Sequence, residues 1–160
     1  MTYAEYREAA QAEFNKLPIF WAFSNMQFKE ALEKRGIDTE GMELGALAKK
    51  YVYRFGDTGG FYLKTDAQVV REYLQRDHAK ELGELMENDL DFAREAFVYE
   101  MENHEYPINW QGDWDVCTCF GNVEYDEMKD GTDYLLEMGY SPDVVNVYRE
   151  ARREVMSRDY

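Results

Sequence analysis

Residues 84–143 contain seventeen acids and only two bases, Arg94 and Lys129, and so carry −15, the whole net charge of the 160-residue chain. The other hundred residues hold sixteen acids and sixteen bases. From Glu95 to Tyr148 the one cation is Lys129. A stretch so loaded folds only if its carboxylates stay in water while regularly spaced apolar residues supply an interior. Such a field repels nucleic acid and anionic lipid surfaces, and attracts basic proteins and divalent cations. The plain alternative is a solvated acidic face that keeps the chain soluble.

An interior is available, since 45% of the residues are hydrophobic and aromatics are frequent. The length suits one domain over residues 1–160. Two cysteines cannot build a disulfide framework, and no apolar run reaches the roughly 18 residues of a membrane-spanning helix. Met1-Thr2-Tyr3-Ala4-Glu5 lacks the basic start and apolar stretch of a signal peptide. These features predict a cytoplasmic location.

Thr2 with Glu5 reads as a capping box opening a first helix, whose stripe is Tyr6, Ala9, Ala10, Phe14 and Leu17 and which Pro18 ends. Residues 19–23 are apolar enough to be buried. Ser24 with Gln27 opens a second helix (Met26, Phe28, Ala31, Leu32) closed by Gly36. Thr39 to Lys50 carries only a weak helical pattern. Residues 51–55 and 61–63 around Gly56-Asp57-Thr58-Gly59-Gly60 predict a hairpin. Thr65 with Gln68 predicts a third capped helix running on through Met86, and Leu90 to Met101 a further one, with Gly83 and Asn88-Asp89 as candidate breaks. Alternation at Tyr106, Ile108 and Trp110, and again at Trp114, Val116, Thr118 and Phe120, predicts a second hairpin with the two tryptophans paired across it. Thr132 is expected to cap a short helix stopped by Gly139, and Ser141-Pro142 to open the last one. The predicted fold class is α+β, a mostly helical single domain with one or two short antiparallel hairpins.

Motifs for chemistry are sparse. Cys117-Thr118-Cys119 on a strand would point two thiols to one face, and His78 and His104 would complete a four-ligand set, but the spacing fits no zinc pattern. Free thiols without a metal between them are expected. His104 beside Glu105, with Glu100 one helical turn before, has the makings of a proton-transfer site if a pocket closes over it. Asp113 and Asp115 lack the ligand number and glycine placement of a calcium loop. The glycine-rich turn at 56–60 lacks the Lys-Ser/Thr of a phosphate loop. The expectation is therefore a protein that is not an enzyme and holds no cofactor or metal.

The acidic segment supports a sharper reading. Carboxylates three or four residues apart on a helix stand about 5–6 Å from one another, a spacing similar to that of phosphates along a strand. Glu84, Glu87, Asp91 and Glu95 follow that spacing. Tyr99, Tyr106, Trp110, Trp114 and Tyr125 are candidate aromatic anchors among them.

Three stretches carry a resemblance: residues 14–28 (FNKLPIFWAFSNMQF), 59–66 (GGFYLKTD), and Asn103-His104-Glu105-Tyr106 leading into Asp115-Val116-Cys117-Thr118-Cys119-Phe120-Gly121. Together they resemble a family of small, functionally uncharacterised proteins carried by bacteriophages and mobile elements of gut bacteria. The resemblance implies a bacterial host cell and a setting in which small acidic proteins antagonise host defence, CRISPR nucleases included. It lends no catalytic residues.

The function expected is that of a non-enzymatic inhibitor that binds a basic nucleic-acid-handling defence protein and blocks access of nucleic acid, without touching nucleic acid or membrane itself. Its binding residues would be Glu84, Glu87, Asp91, Glu95, Glu102, Asp113, Trp114, Asp115, Asp126, Glu127 and Asp130. The alternative is a small metal-dependent enzyme or binding protein working from His104, Cys117 and Cys119, with Glu105, Asp113 and Asp115 nearby.

Overall fold

The computed structural model describes residues 1–158. Among these, nine α-helices and a three-stranded antiparallel sheet make a mostly helical α+β protein. The chain divides into two compact units, one of residues 11–76 and one of residues 1–10 with 77 onward. The first helix, α1 (Tyr3–Asn15), contributes to both.

In the smaller unit, α2 (Asn25–Lys34) starts where Ser24 accepts the Gln27 N–H at 3.2 Å. Its end is also as expected: Gly36 takes φ +80°, which lets Ile37 N–H turn back to Leu32 C=O. The ambiguous stretch resolves into α3 (Leu44–Tyr51). β2 (Val52–Phe55) and β3 (Gly60–Leu63) form the predicted hairpin. β3 is the central strand, because β1 (Phe20–Trp21) pairs with its other edge in the register Phe20 to Phe61 and Trp21 to Gly60. Within the apolar run 19–23 only Phe20–Trp21 is strand, at the sheet edge, and burial alternates along it. Phe20 and Ala22 are buried with Phe28, Leu32, Leu47 and Val52, whereas Trp21 and Phe23 lie outside. Their rings cover the glycine turn so closely that a Cβ on Gly60 would come within 2.8 Å of Trp21.

The Thr65 capping box does not form. Residues 64–66 make a 3₁₀ turn, and α4 (Ala67–Gln75) begins behind Asp66 with no side-chain cap. The long helix expected behind it breaks at Arg76-Asp77 rather than at Gly83. Asp77 turns its carboxylate onto the Lys80 N–H and starts α5 (His78–Asn88), as an N-cap aspartate does.

The larger unit is built on α6 (Leu90–Asn103) and α9 (Pro142–Met156). Phe92, Ala93, Ala96, Phe97 and Met101 of α6 face Val144, Tyr148, Ala151 and Val155 of α9 in one core, where three alanines let the helix axes approach. Phe97 meets Phe120 and Tyr148 edge-on at 5.0 and 5.1 Å. The Thr2–Glu5 box and the Ser141 cap form as read from sequence. In α1, however, the buried anchor is Tyr3, and Ala9 and Ala10 are exposed.

The second hairpin is absent. Residues 104–111 are turns, followed by α7 (Gly112–Cys117) and a 3₁₀ turn over Thr118–Phe120. The buried positions there, Gly112, Val116, Cys117 and Phe120, have helical spacing. Asp113 and Asp115 sit in the first turn, where the helix dipole favours acids. Alternation over so few residues did not discriminate between the two periods. Trp110 and Trp114 are not cross-strand partners; each contacts Tyr125 instead. In α8 (Gly131–Glu137) the cap is Asp130, boxed with Asp133, while Thr132 donates its hydroxyl to Asp130.

Gly131 has no room for a side chain, since a Cβ there would overlap the fully buried Tyr148 ring. Gly131→Ala is therefore expected to cost about 1–3 kcal/mol or more by overpacking, read as a lower urea midpoint at unchanged slope.

Candidate functional site

The acids read as a binding surface divide into three places. Glu84 and Glu87 on α5 line a hollow of about 610 Å³ together with Phe120, Met138 and Tyr140. Asp91, Glu95 and Glu102 line a second, of about 670 Å³, beside Tyr3, Arg94 and Tyr99. Because Asp89 ends α5 and caps α6, the phosphate-like row does not run through from Glu87 to Asp91. It is interrupted there, leaving one pair on each helix.

Many of these carboxylates hold the fold. Glu87 accepts the Ser141 N–H at 2.8 Å and Glu95 the Tyr3 N–H at 3.0 Å. Glu102 of α6 pairs with Arg158, whereas Arg94 of α6 pairs with Glu154 of α9 at 3.3 Å, so ion pairs of opposite polarity join α6 to the C-terminal segment. Asp113 accepts hydroxyls from Tyr106 (2.7 Å) and Tyr148. Asp115 accepts the Asn109 amide at 2.8 Å. Asp126 and Asp130 turn onto neighbouring backbone N–H groups. Glu84, Asp91 and Glu127 are exposed. Lys129 is engaged by Glu137 at 2.7 Å and Asp126 at 3.9 Å, and the Glu137 hydrogen bond raises its pKa.

Residues 104–130 carry aromatic and acidic groups at the surface over Val116, Cys117 and Phe120, which are buried in the core. Trp114 donates its indole N–H to Val123 C=O at 3.0 Å, and Tyr134 O–H donates to Asp126 C=O at 2.8 Å, which pins the irregular 121–129 segment from two sides. Tyr125 packs edge-on between Trp114 (5.8 Å) and Trp110 (6.1 Å). Trp110 and Ile108 are each 81% exposed. Trp110, left in water against Tyr125, whose chain neighbours are Glu124 and Asp126, has the composition of an interface anchor with an acidic rim.

A third constellation lies at the end of α6, and only its Glu100–His104 half was legible in the sequence. Glu100 is 1% exposed. Its Oε1 accepts Tyr3 O–H and an Arg7 guanidinium N–H, both at 2.8 Å, from α1. Its Oε2 lies 3.5 Å from His104 Nε2 and 3.4 Å from Cys119 Sγ, and the latter two are 3.5 Å apart. On a helical path residues two apart diverge by about 200°. Cys117 consequently points into the core, toward Gly131 C=O, while Cys119 faces Glu100. His78 belongs to α5 and Glu105 is exposed. Glu105 closes α6 with φ +52°, a left-handed position usually given to glycine. Burial, then the Glu100 charge, pushes the Cys119 thiol up to about 12.

The chain belongs to a family of unknown function, DUF7659, whose model matches residues 2–134. No curated protein matches it. No solved structure matches it either. Among the described residues no helix is long and apolar enough to cross a membrane.

Two outcomes are expected. Glu105→Gly removes the left-handed strain and is expected to stabilise by about 0.5–1 kcal/mol in denaturant titration. Burial raises the Tyr140 phenol to about 12 and moves those of Tyr3, Tyr106 and Tyr148 further in the same direction. Above the unfolded value of 10.0 the folded chain keeps protons that the unfolded chain has lost. Stability should thus be unaffected by these groups at neutral pH and fall as pH rises from about 10 towards 12, measured by thermal melts across that window.

Proposed function

We propose that this protein acts by contact: it is an acidic interaction protein whose exposed residues within 104–130 dock on the cationic face of a nucleic-acid-handling partner and keep nucleic acid off it. The observation that carries this reading is the exposed Trp110, packed edge-on against Tyr125 in the acidic segment that holds the net charge. Aromatic anchors supply affinity at the centre of an interface, and a surrounding field of one sign supplies partner choice and on-rate. A cationic groove that binds phosphates offers the complementary field. The resemblance to phage and mobile-element proteins supports a bacterial defence nuclease, such as a CRISPR effector, as the partner class. In that reading the chain is an inhibitor working in the cytoplasm of the host cell.

Affinity capture from a bacterial host lysate tests this at low and at moderate salt. The captured protein should be basic, should be displaced by added nucleic acid, and should be released as salt rises. Trp110→Ala should weaken binding by about 2 kcal/mol or more, roughly 30-fold. Glu124→Lys with Glu127→Lys should act mainly on the on-rate. The control pair Glu30→Lys with Glu40→Lys, on exposed positions of the neutral part of the chain, should change little. An acidic partner, or equal losses from both pairs, would refute the reading.

A further inference from the structure

We infer that Glu100, His104 and Cys119 form a binding site for one divalent cation of the zinc class, with three protein ligands and an open fourth position. A tetrahedral ion with metal–sulfur bonds near 2.3 Å and metal–nitrogen or –oxygen bonds of about 2.0–2.1 Å separates its donors by about 3.3–3.6 Å. The three donor atoms here stand 3.4, 3.5 and 3.5 Å apart, so an ion can be seated without moving a side chain far. Among the described residues, these three make the one group of such donors within mutual ligand distance.

The donor types agree with the geometry. Thiolate, imidazole and carboxylate together select zinc-like ions over calcium or magnesium, which prefer all-oxygen shells of higher number. Glu100 and His104 are four residues apart on α6, the helical spacing that brings two ligands to one face. Cys119 enters from the 3₁₀ turn after α7.

An outer shell is present as well. Arg7 and Tyr3 occupy Glu100 Oε1 and so fix the carboxylate with Oε2 toward the other two donors. On binding, Cys119 releases its Sγ proton to solvent, and thiolate and carboxylate balance the dication, with Arg7 outside the ligand set. The His104 side chain is 32% exposed, which gives an ion a way in. The site uses none of the aromatic anchor residues Trp110, Trp114 and Tyr125, and its metal titration does not depend on the proposed partner.

The test uses the full chain, reduced with a phosphine and titrated with cobalt(II) as a spectroscopic probe and then with zinc. The expected result is one equivalent of cobalt, with tetrahedral visible bands and a near-ultraviolet thiolate-to-metal band, both erased by one equivalent of zinc. Cys119→Ser should abolish the thiolate band, whereas Cys117→Ala should keep it. His104→Gln should lower affinity by at least the roughly 10–100-fold that outer-shell changes already cost, and Tyr3→Phe should fall within that range. Circular dichroism verifies that each variant is folded. If a folded wild-type chain shows no thiolate band, the site is refuted whatever the variants do. Equally, a band retained by folded Cys119→Ser, or uptake unchanged in both Cys119→Ser and His104→Gln, would assign the metal to other groups and overturn the proposal.

Discussion

The buried carboxylate of Glu100 is the constraint around which the larger unit is arranged. A charge almost wholly out of water is tolerated only when its oxygens are met by donors. Tyr3 and Arg7 reach it from α1, while His104 and Cys119 close the other side. The start of α1, the end of α6 and the 118–120 turn are therefore fixed to one another by a single side chain. Tyr3 adds ring contacts with Phe92 and Tyr99, so the same anchor is apolar on its faces and polar at its tip.

Acids elsewhere follow two different physical logics. Asp77, Asp89, Asp130 and Asp133 cap helices, where a carboxylate meets N–H groups that have no partner within the helix. Asp113 gathers the hydroxyls of Tyr106 and Tyr148 and so ties α7 to α9. A high acid count in this segment is thus partly architecture. The remainder, set around Trp110, Tyr125 and the two hollows, is surface field. That distinction explains why one feature of the composition serves both the fold and the reading of function offered for it.

Where local chemistry decided the structure, it was readable from residues alone. Caps at Thr2, Ser24 and Ser141, the glycine stops at 36 and 139, and the hairpin over 52–63 each depend on contacts within a few residues. The stretch 105–120 is decided otherwise, by the core rather than by its neighbours in the chain. Its alternating aromatics suit a strand, but a strand needs an edge to pair with, and here the buried set Val116, Cys117 and Phe120 is chosen by the core it meets. The same reversal sent Cys117 inward and brought Cys119 to His104.

The amino-acid sequence by itself determined the helical class, several helix ends, the central hairpin and the segregation of charge, because these are local in the chain or additive over it. Only tertiary structure decided which acids are buried, which tryptophan is left in water, and that Glu100 meets residues 97 positions before it and 19 after it. Contacts of that separation are set by how helices pack, and packing depends on all the faces at once rather than on any one segment.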